Sequence, residues 1–400
     1  MRSVSLAFAA LLAGALPVLA EPSPDIAARM DAVIDRAIAE DRIVGAVVLV
    51  SVDGKVVYHR AAGMADREAG TPMREDVIFR LASVTKPMVS ATFMRLVEDG
   101  RVGLDDPVTK YLPDFAPRLP DGTAPTITLE QLLTHTSGLS YRFIEPMDSD
   151  YDRLDVSDGL DQPGLSLDEN LHRLAQAPLK FRPGEGWGYS LGIDVLGGVV
   201  EQVTGQPLSD AVENAVTGPL GMTDTGFTVT DPARLAVPYA DGDPVPARMT
   251  DGQFVPLGNK GALFAPARAL DATSYPSGGG GMVGTAGDFM TFLEAIRAGG
   301  GGILKAATVT AMTHDTVGAQ AATQGQGWGF GYGWAILDDP AAAGTPQSAG
   351  TLQRGGAYGH SWFVDPARKM SVVAFTNTTF EGMSGPFTTE VRDAAYPPAE

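Results

Sequence analysis

Ser83 and Lys86 stand three residues apart at the head of a nearly apolar stretch, Pro87–Asp99, and their side chains are a nucleophile and its potential activator. On a helix, residues three apart share a face, so the Lys86 amine can reach the Ser83 hydroxyl. A helix N-terminus also offers free backbone N–H groups and the positive end of its dipole, which suits an oxyanion formed during acyl transfer. A lysine with its ordinary pKa near 10.4 is a poor base at neutral pH. Burial or a neighbouring cation has to bring it close to neutrality, a perturbation of about 4 kcal/mol. Ser-x-x-Lys alone is a weak signal, equally the mark of a serine N-cap followed by a surface lysine.

A second constellation competes with the first. Gly188-Tyr189-Ser190-Leu191-Gly192 fits the Gly-x-Ser-x-Gly nucleophile elbow, with Asp338 and His360 following in the chain order that mechanism uses. An elbow needs a buried apolar strand before its serine, whereas Phe181–Trp187 is polar and turn-rich. The five histidines, His59, His135, His172, His314 and His360, are scattered without His-x-x-x-His spacing, so no metal site is expected. His135 reads as a loop-bracing hydrogen-bonder and His360 as a strand residue near the site. With no cysteine in the chain, a catalytic thiol, disulfides and cysteine-ligated zinc are excluded.

These residues need elements to hold them. Ile26, Met30, Val33, Ile34 and Ala37 recur at helical spacing and predict an N-terminal helix to Ala39. Gly45–Val52 and Lys55–Ala61, joined by Asp53-Gly54, predict a hairpin. Pro87–Asp99 predicts a buried helix stopped by Gly100, and Thr285–Ala298 a helix between two glycine runs. Near the C-terminus Gly333–Leu337, His360–Val364 and Ser371–Asn377 read as strands, and Thr388–Ala395 as a last helix. The order suggests a sheet built from both chain ends with a helical lobe beside it. Tyr141–Gly164 and Asp241–Gly261 read as polar loops. The first is long enough to form a lid or a wall of a pocket, or else a solvated acidic loop.

Beyond Ser83 and Lys86, the chain resembles the serine β-lactamase, DD-peptidase and family VIII carboxylesterase group. The resemblance runs through Phe79–Lys86, Gly103–Val108, Leu132–Leu139, Pro183-Gly184-Glu185 to Tyr189-Ser190, Pro219–Met222 and Ser277-Gly278-Gly279, in that group's order. It implies an α+β chain of β-lactamase/transpeptidase-like fold: an antiparallel sheet flanked by terminal helices, plus an all-helical lobe over roughly residues 95–280. It also implies Tyr189 as general base and acid, with Leu191 where the group's Tyr-x-Asn motif has asparagine. The third motif falls on Arg354-Gly355-Gly356, and Tyr358–Pro366 resembles the esterases specifically. The resemblance places the backbone N–H of Ala357 beside that of Ser83 in an oxyanion hole, and Arg354, Gly355, Gly356, His360, Trp362 and Leu191 along the substrate. Family VIII esterases usually carry tryptophan where Arg354 stands. The arginine either faces the site, attracting a substrate carboxylate or lowering the pKa of Lys86 and Tyr189, or turns away to surface acids. Trp187, Trp328 and Trp334 are further pocket candidates.

The implied activity is hydrolysis of carboxylic esters, with short acyl chains, and no cofactor. Leu191 cannot hydrogen-bond a substrate amide, which tilts the reading from β-lactams and peptides to esters. β-Lactamase, DD-peptidase and a catalytically silent penicillin-binding or sensor protein remain the alternatives. A net charge of −19 argues against nucleic acid and anionic membrane as partners. Met1-Arg2, the apolar run Leu6–Leu16 and Ala20 read as a cleavable export leader over 1–20, leaving a single catalytic domain at 21–400, secreted or periplasmic and not inserted in a membrane.

Overall fold

Val47 and Leu49 point to one face of strand β1 (Gly45–Val52), Val48 and Val50 to the other, and all four are buried. Such a strand is apolar on both sides because both faces of its sheet are covered. The computed structural model, which describes residues 25–321 and 323–397, places β1 within an eight-stranded antiparallel sheet. The expected leader lies outside the described residues. The other strands are β2 (Lys55–Asp66), β3 (Thr71–Pro72), β4 (Trp328–Phe330), β5 (Ala335–Leu337), β6 (Leu352–Gly356), β7 (His360–Asp365) and β8 (Met370–Thr376), in the order β4-β5-β6-β7-β8-β1-β2-β3. Pairing of β1 with β8, from Ala46↔Thr376 to Val52↔Met370, joins the two chain ends.

Helix α1 (Asp25–Ala39) buries the face its periodicity predicts, and the C-terminal helix α6 (Pro386–Ala395) packs beside it on one side of the sheet. Helices α2 (Thr85–Glu98) and α4 (Ala286–Arg297) belong to the core on the other side, where Phe289 meets Trp362 and Phe375. Helix α2 is buried from Thr85 to Met94, so it cannot rotate to bring Ser83 to solvent elsewhere. It ends at Gly100, whose φ of 69° suits the left-handed cap. Helix α3 (Gly192–Thr204) packs against α2, and helix α5 (Thr379–Ser384) crosses beside β6 and β7. Among the described residues no helix is long and apolar enough to cross a membrane.

Asp241–Gly261 is not simply a loop. Ala247–Arg248 pairs with Tyr239–Ala240, and Gln253–Leu257 forms a hairpin with Lys260–Phe264 about a Gly258-Asn259 turn. Gly-Asn between two short apolar runs is a hairpin signal, masked here by Pro256 and the polar flanks. Strand β4 was unexpected too, because the glycines around Trp328 dilute strand propensity and its pairing with β5 supplies the order. Tyr141–Gly164 forms a packed wall and not a solvated loop. Tyr141, Tyr151, Val156 and Leu160 are buried, and Arg142 clamps the segment through Asp152 and Asp155.

Candidate active site

Ser83 occupies a 3₁₀ turn, Ala82–Val84, immediately before α2. Ala82 has a φ of 45°, a left-handed conformation that strains any residue carrying a Cβ and bends the chain sharply ahead of the serine. Around Ser83 Oγ stand Lys86 Nζ at 3.2 Å and Tyr189 OH at 2.9 Å. Lys86 is 2% exposed and also donates to the Gly279 carbonyl at 2.6 Å. Its ammonium lies 4.7 Å from the centre of the Tyr189 ring and 5.1 Å from that of Tyr141. The three residues expected to do chemistry are thus brought together.

Burial works to raise the Tyr189 pKa, but the charges of Lys86 and Arg354 and hydrogen bonds from Lys86 and Ser83 outweigh it and bring the phenol down to about 8. A phenol so tuned is partly ionised near neutral pH, and its phenolate can accept the proton of a neighbouring hydroxyl. Arg354 faces the site: its guanidinium lies 4.3 Å over the Tyr189 ring, and Nη1 donates to Thr323 Oγ1 at 2.5 Å.

The backbone around the nucleophile explains two glycines. A Cβ on Gly356 would fall 2.3 Å from the Leu81 carbonyl, so only glycine lets β6 lie against the segment that carries Ser83. Ala357 follows directly, and it lines the same cavity as Ser83. Neither the Ser83 nor the Ala357 N–H makes a hydrogen bond among the described residues. At Gly279 a Cβ would fall 2.2 Å from Asp194 Oδ2 and 2.7 Å from Tyr141 OH. Asp194 is buried on α3 and accepts from Ser277 Oγ at 2.6 Å. Burial pushes its pKa up, against the Ser277 hydrogen bond and the Lys86 charge. Asp194 and Thr323 stand in no motif and gave no sequence signal. Ser277 and Gly279 lie in a matched string, but the string does not say what they touch.

Three expected substrate contacts are corrected. His360 is fully buried, with Nε2 donating to the Arg80 carbonyl at 2.7 Å and the ring packed on Phe79 and Phe375. Leu191 is fully buried in the core at the start of α3 and does not line the cavity. Gly356 serves the backbone approach just described. Arg354, Gly355 and Trp362 do line the cavity, although Trp362 is only 1% exposed and packs on Phe289. Trp328 also reaches it, whereas Trp334 is core and Trp187 packs against His135 and Phe330.

The nucleophile-elbow reading fails on geometry. Ser190 is fully buried and held by His135, whose Nδ1 accepts from the Ser190 N–H at 3.2 Å and lies 3.1 Å from its Oγ. His135 braces the loop as expected: its ring lies 4.8 Å from that of Tyr189, and burial followed by the Lys86 and Arg354 charges holds its pKa well below 6.5.

The cavity over Ser83 has a volume of about 550 Å³, with Tyr141, Phe143 and Leu160 on one side and the Leu257–Ala262 hairpin turn on another. That size fits a small organic ligand.

Comparison with known proteins matches this arrangement to others. The family described as Beta-lactamase matches residues 30–396. Esterase EstB of Burkholderia gladioli is 58% identical over 374 residues, covering 93% of this chain and 95% of that protein. The lovastatin esterase of Penicillium rubens is 32% identical over 73% of this chain and 74% of its own. Among solved structures, EstCE1, described as a hydrolase with promiscuous acyltransferase activity, superposes with a TM-score of 0.91 at 49% identity, over 93% of this chain and 99% of that one.

Proposed function

The chain belongs to the β-lactamase family of serine hydrolases, and from that premise we propose that it is a carboxylesterase working through an acyl-Ser83 intermediate. The observation that carries the residue assignment is the convergence of Lys86 Nζ and Tyr189 OH on Ser83 Oγ.

In this reading Ser83 Oγ attacks the ester carbonyl as its proton passes to Tyr189, whose phenolate is held by the Lys86 ammonium. The oxyanion takes the free N–H groups of Ser83 and Ala357, each donor of this kind being worth about 3 kcal/mol of barrier. Tyr189 then returns the proton to the leaving alkoxide as the C–O bond breaks. A water, deprotonated by the same phenolate, attacks the acyl-Ser83 carbonyl and releases the acid and the serine. The ester class is supported by the likeness to Esterase EstB and to EstCE1; Leu191, buried away from the cavity, has no part in choosing between esters and amides.

The test is hydrolysis of p-nitrophenyl acetate and butyrate, beside a chromogenic cephalosporin, by wild type, Ser83→Ala and Ser190→Ala. Ester turnover lost with Ser83→Ala and largely kept with Ser190→Ala is the expected result. Full activity of Ser83→Ala overturns the assignment, and a cephalosporin rate above the ester rate overturns the substrate class.

Export is the second part of the proposal, resting on Arg2 followed by the apolar run Leu6–Leu16 and the small residue Ala20. N-terminal sequencing of the protein recovered outside the cytoplasm is expected to begin at Glu21; retention of Met1 in a cytoplasmic protein refutes it.

A further inference from the structure

The cavity does not end at the catalytic residues. From Ser83 and Arg354 it continues past Gly355 to the face of the sheet that α6 flanks, and the two parts form one space. Strand alternation explains the passage. Gln353 and Gly355 on β6 pair with Phe363 and Ser361 on β7, so these four share that face, while Arg354 between them turns to Tyr189. Gly355 has no side chain, and a Cβ there would fall 2.6 Å from the His360 carbonyl and 3.1 Å from Met383 of α5, so only glycine fits where β6 passes beneath α5. Beyond it, Phe363, Val372 and Trp328 form a floor that is itself nearly buried, and α6 walls the far side with Thr388, Thr389 and Arg392 beside the buried Val391. Polar side chains line it too, among them Gln347, Thr388, Thr389 and Arg392, and of these groups Ser361 Oγ and Gln353 Nε2 make no hydrogen bond among the described residues, although Gln353 Oε1 accepts from Gln347. From Ala357 back to Gln353 the strand covers roughly 13 Å, so the extension is much longer than a two-carbon group.

We propose that this extension binds the alcohol portion of the ester, a mainly hydrocarbon chain of medium length carrying a hydroxyl or ether oxygen for Ser361 and Gln353. The inference rests on the esterase reading and names the substrate class of that same site. The alcohol end is assigned because Tyr189, the acid for the leaving oxygen, lies beneath Arg354, and the extension begins at Arg354 and its partner Thr323. The acyl group then lies towards Tyr141, Phe143 and Leu160.

The experiment compares kcat/KM for ethyl acetate and decyl acetate, and for p-nitrophenyl butyrate and decanoate, in wild type, Ser361→Trp and Thr388→Trp. The two substitutions fill the extension from opposite walls, the sheet and α6, and neither residue touches Ser83, Lys86 or Tyr189. Excluding two or more methylenes is enough for about a tenfold loss. Both variants are therefore expected to lose at least about tenfold on decyl acetate, mainly through KM, while ethyl acetate stays within about twofold and serves as the folding control. An unchanged ratio of decyl to ethyl acetate in both variants overturns the proposal. A loss confined to p-nitrophenyl decanoate overturns the assignment to the alcohol. A wild type inactive on all four esters overturns the esterase reading, an outcome distinct from either.

Discussion

The guanidinium of Arg354 lies 4.3 Å from the centre of the Tyr189 ring, and the ammonium of Lys86 lies 4.7 Å from the same ring. Two cations on one phenol favour its ionised form. If the Tyr189 phenolate is the base, kcat/KM rises with pH through the tyrosine's pKa of about 8. Removing a cation raises that pKa, so Arg354→Gln is expected to move the ascending limb of the pH profile to higher pH and lower the rate at pH 7, while Arg354→Lys keeps most of it. A limb that stays in place in Arg354→Gln shows that the arginine does not tune the base.

Gly279 carries the carbonyl that receives Lys86. In Gly279→Ala the new methyl falls 2.2 Å from Asp194 Oδ2 and 2.7 Å from Tyr141 OH, so the segment has to shift and take its carbonyl with it. Overpacking of this kind costs about 1–3 kcal/mol. The expected result is a lower Tm together with a fall in kcat of about tenfold or more, since the amine loses its second anchor beside Ser83. A variant with a lowered Tm and an unchanged kcat shows that Lys86 holds its place without the carbonyl.

Restoring the group's asparagine at position 191 is not expected to create a β-lactamase. Leu191 is fully buried among apolar side chains. Leu191→Asn removes that burial and places an amide there, a loss of about 3 kcal/mol or more. Denaturant melts are expected to show this loss, and a chromogenic cephalosporin no gain in turnover. A stable variant with new cephalosporin activity shows that the amide reaches the substrate.

His360 makes stability depend on pH. Burial lowers its pKa from 6.5 to about 4, against backbone hydrogen bonds that raise it. Between those values the unfolded chain binds a proton that the native protein does not, so stability falls as pH drops from about 6.5 to about 4, by about 3 kcal/mol from this group. In His360→Gln, whose amide can still donate to the Arg80 carbonyl, urea melts at pH 7 and pH 4.5 are expected to differ less than in wild type. An equal difference shows that other groups carry the acid sensitivity.

The N-terminal helix, the first hairpin and helix α2 were legible because each carries its own period and its own stop: Ile26 to Ala37 at helical spacing, Asp53-Gly54 between two runs, Gly100 after Glu98. The candidate catalytic residues were legible through Ser83-x-x-Lys86 and the ordered strings around it. His360 and Leu191 were misplaced because a motif gives a residue's position along a strand or helix but not the side to which it turns. Strand β7 sends His360 into the core, towards the side on which its neighbour Trp362 also packs.

From the amino acids alone came the local elements and the candidate pair Ser83 and Lys86, because helical spacing, turn chemistry and that interval are properties of neighbours in the chain, while Tyr189 was named only through the resemblance of the ordered strings. The tertiary structure alone decided what surrounds them. Tyr189 is 106 residues from Ser83, Gly279 193 from Lys86, and Arg354 meets Thr323 across 31. Contacts at such separations depend on how β8 pairs with β1 and how β6 docks against Leu81. That docking is set by packing and by atoms that are missing, such as the Cβ of Gly356, which no periodicity records.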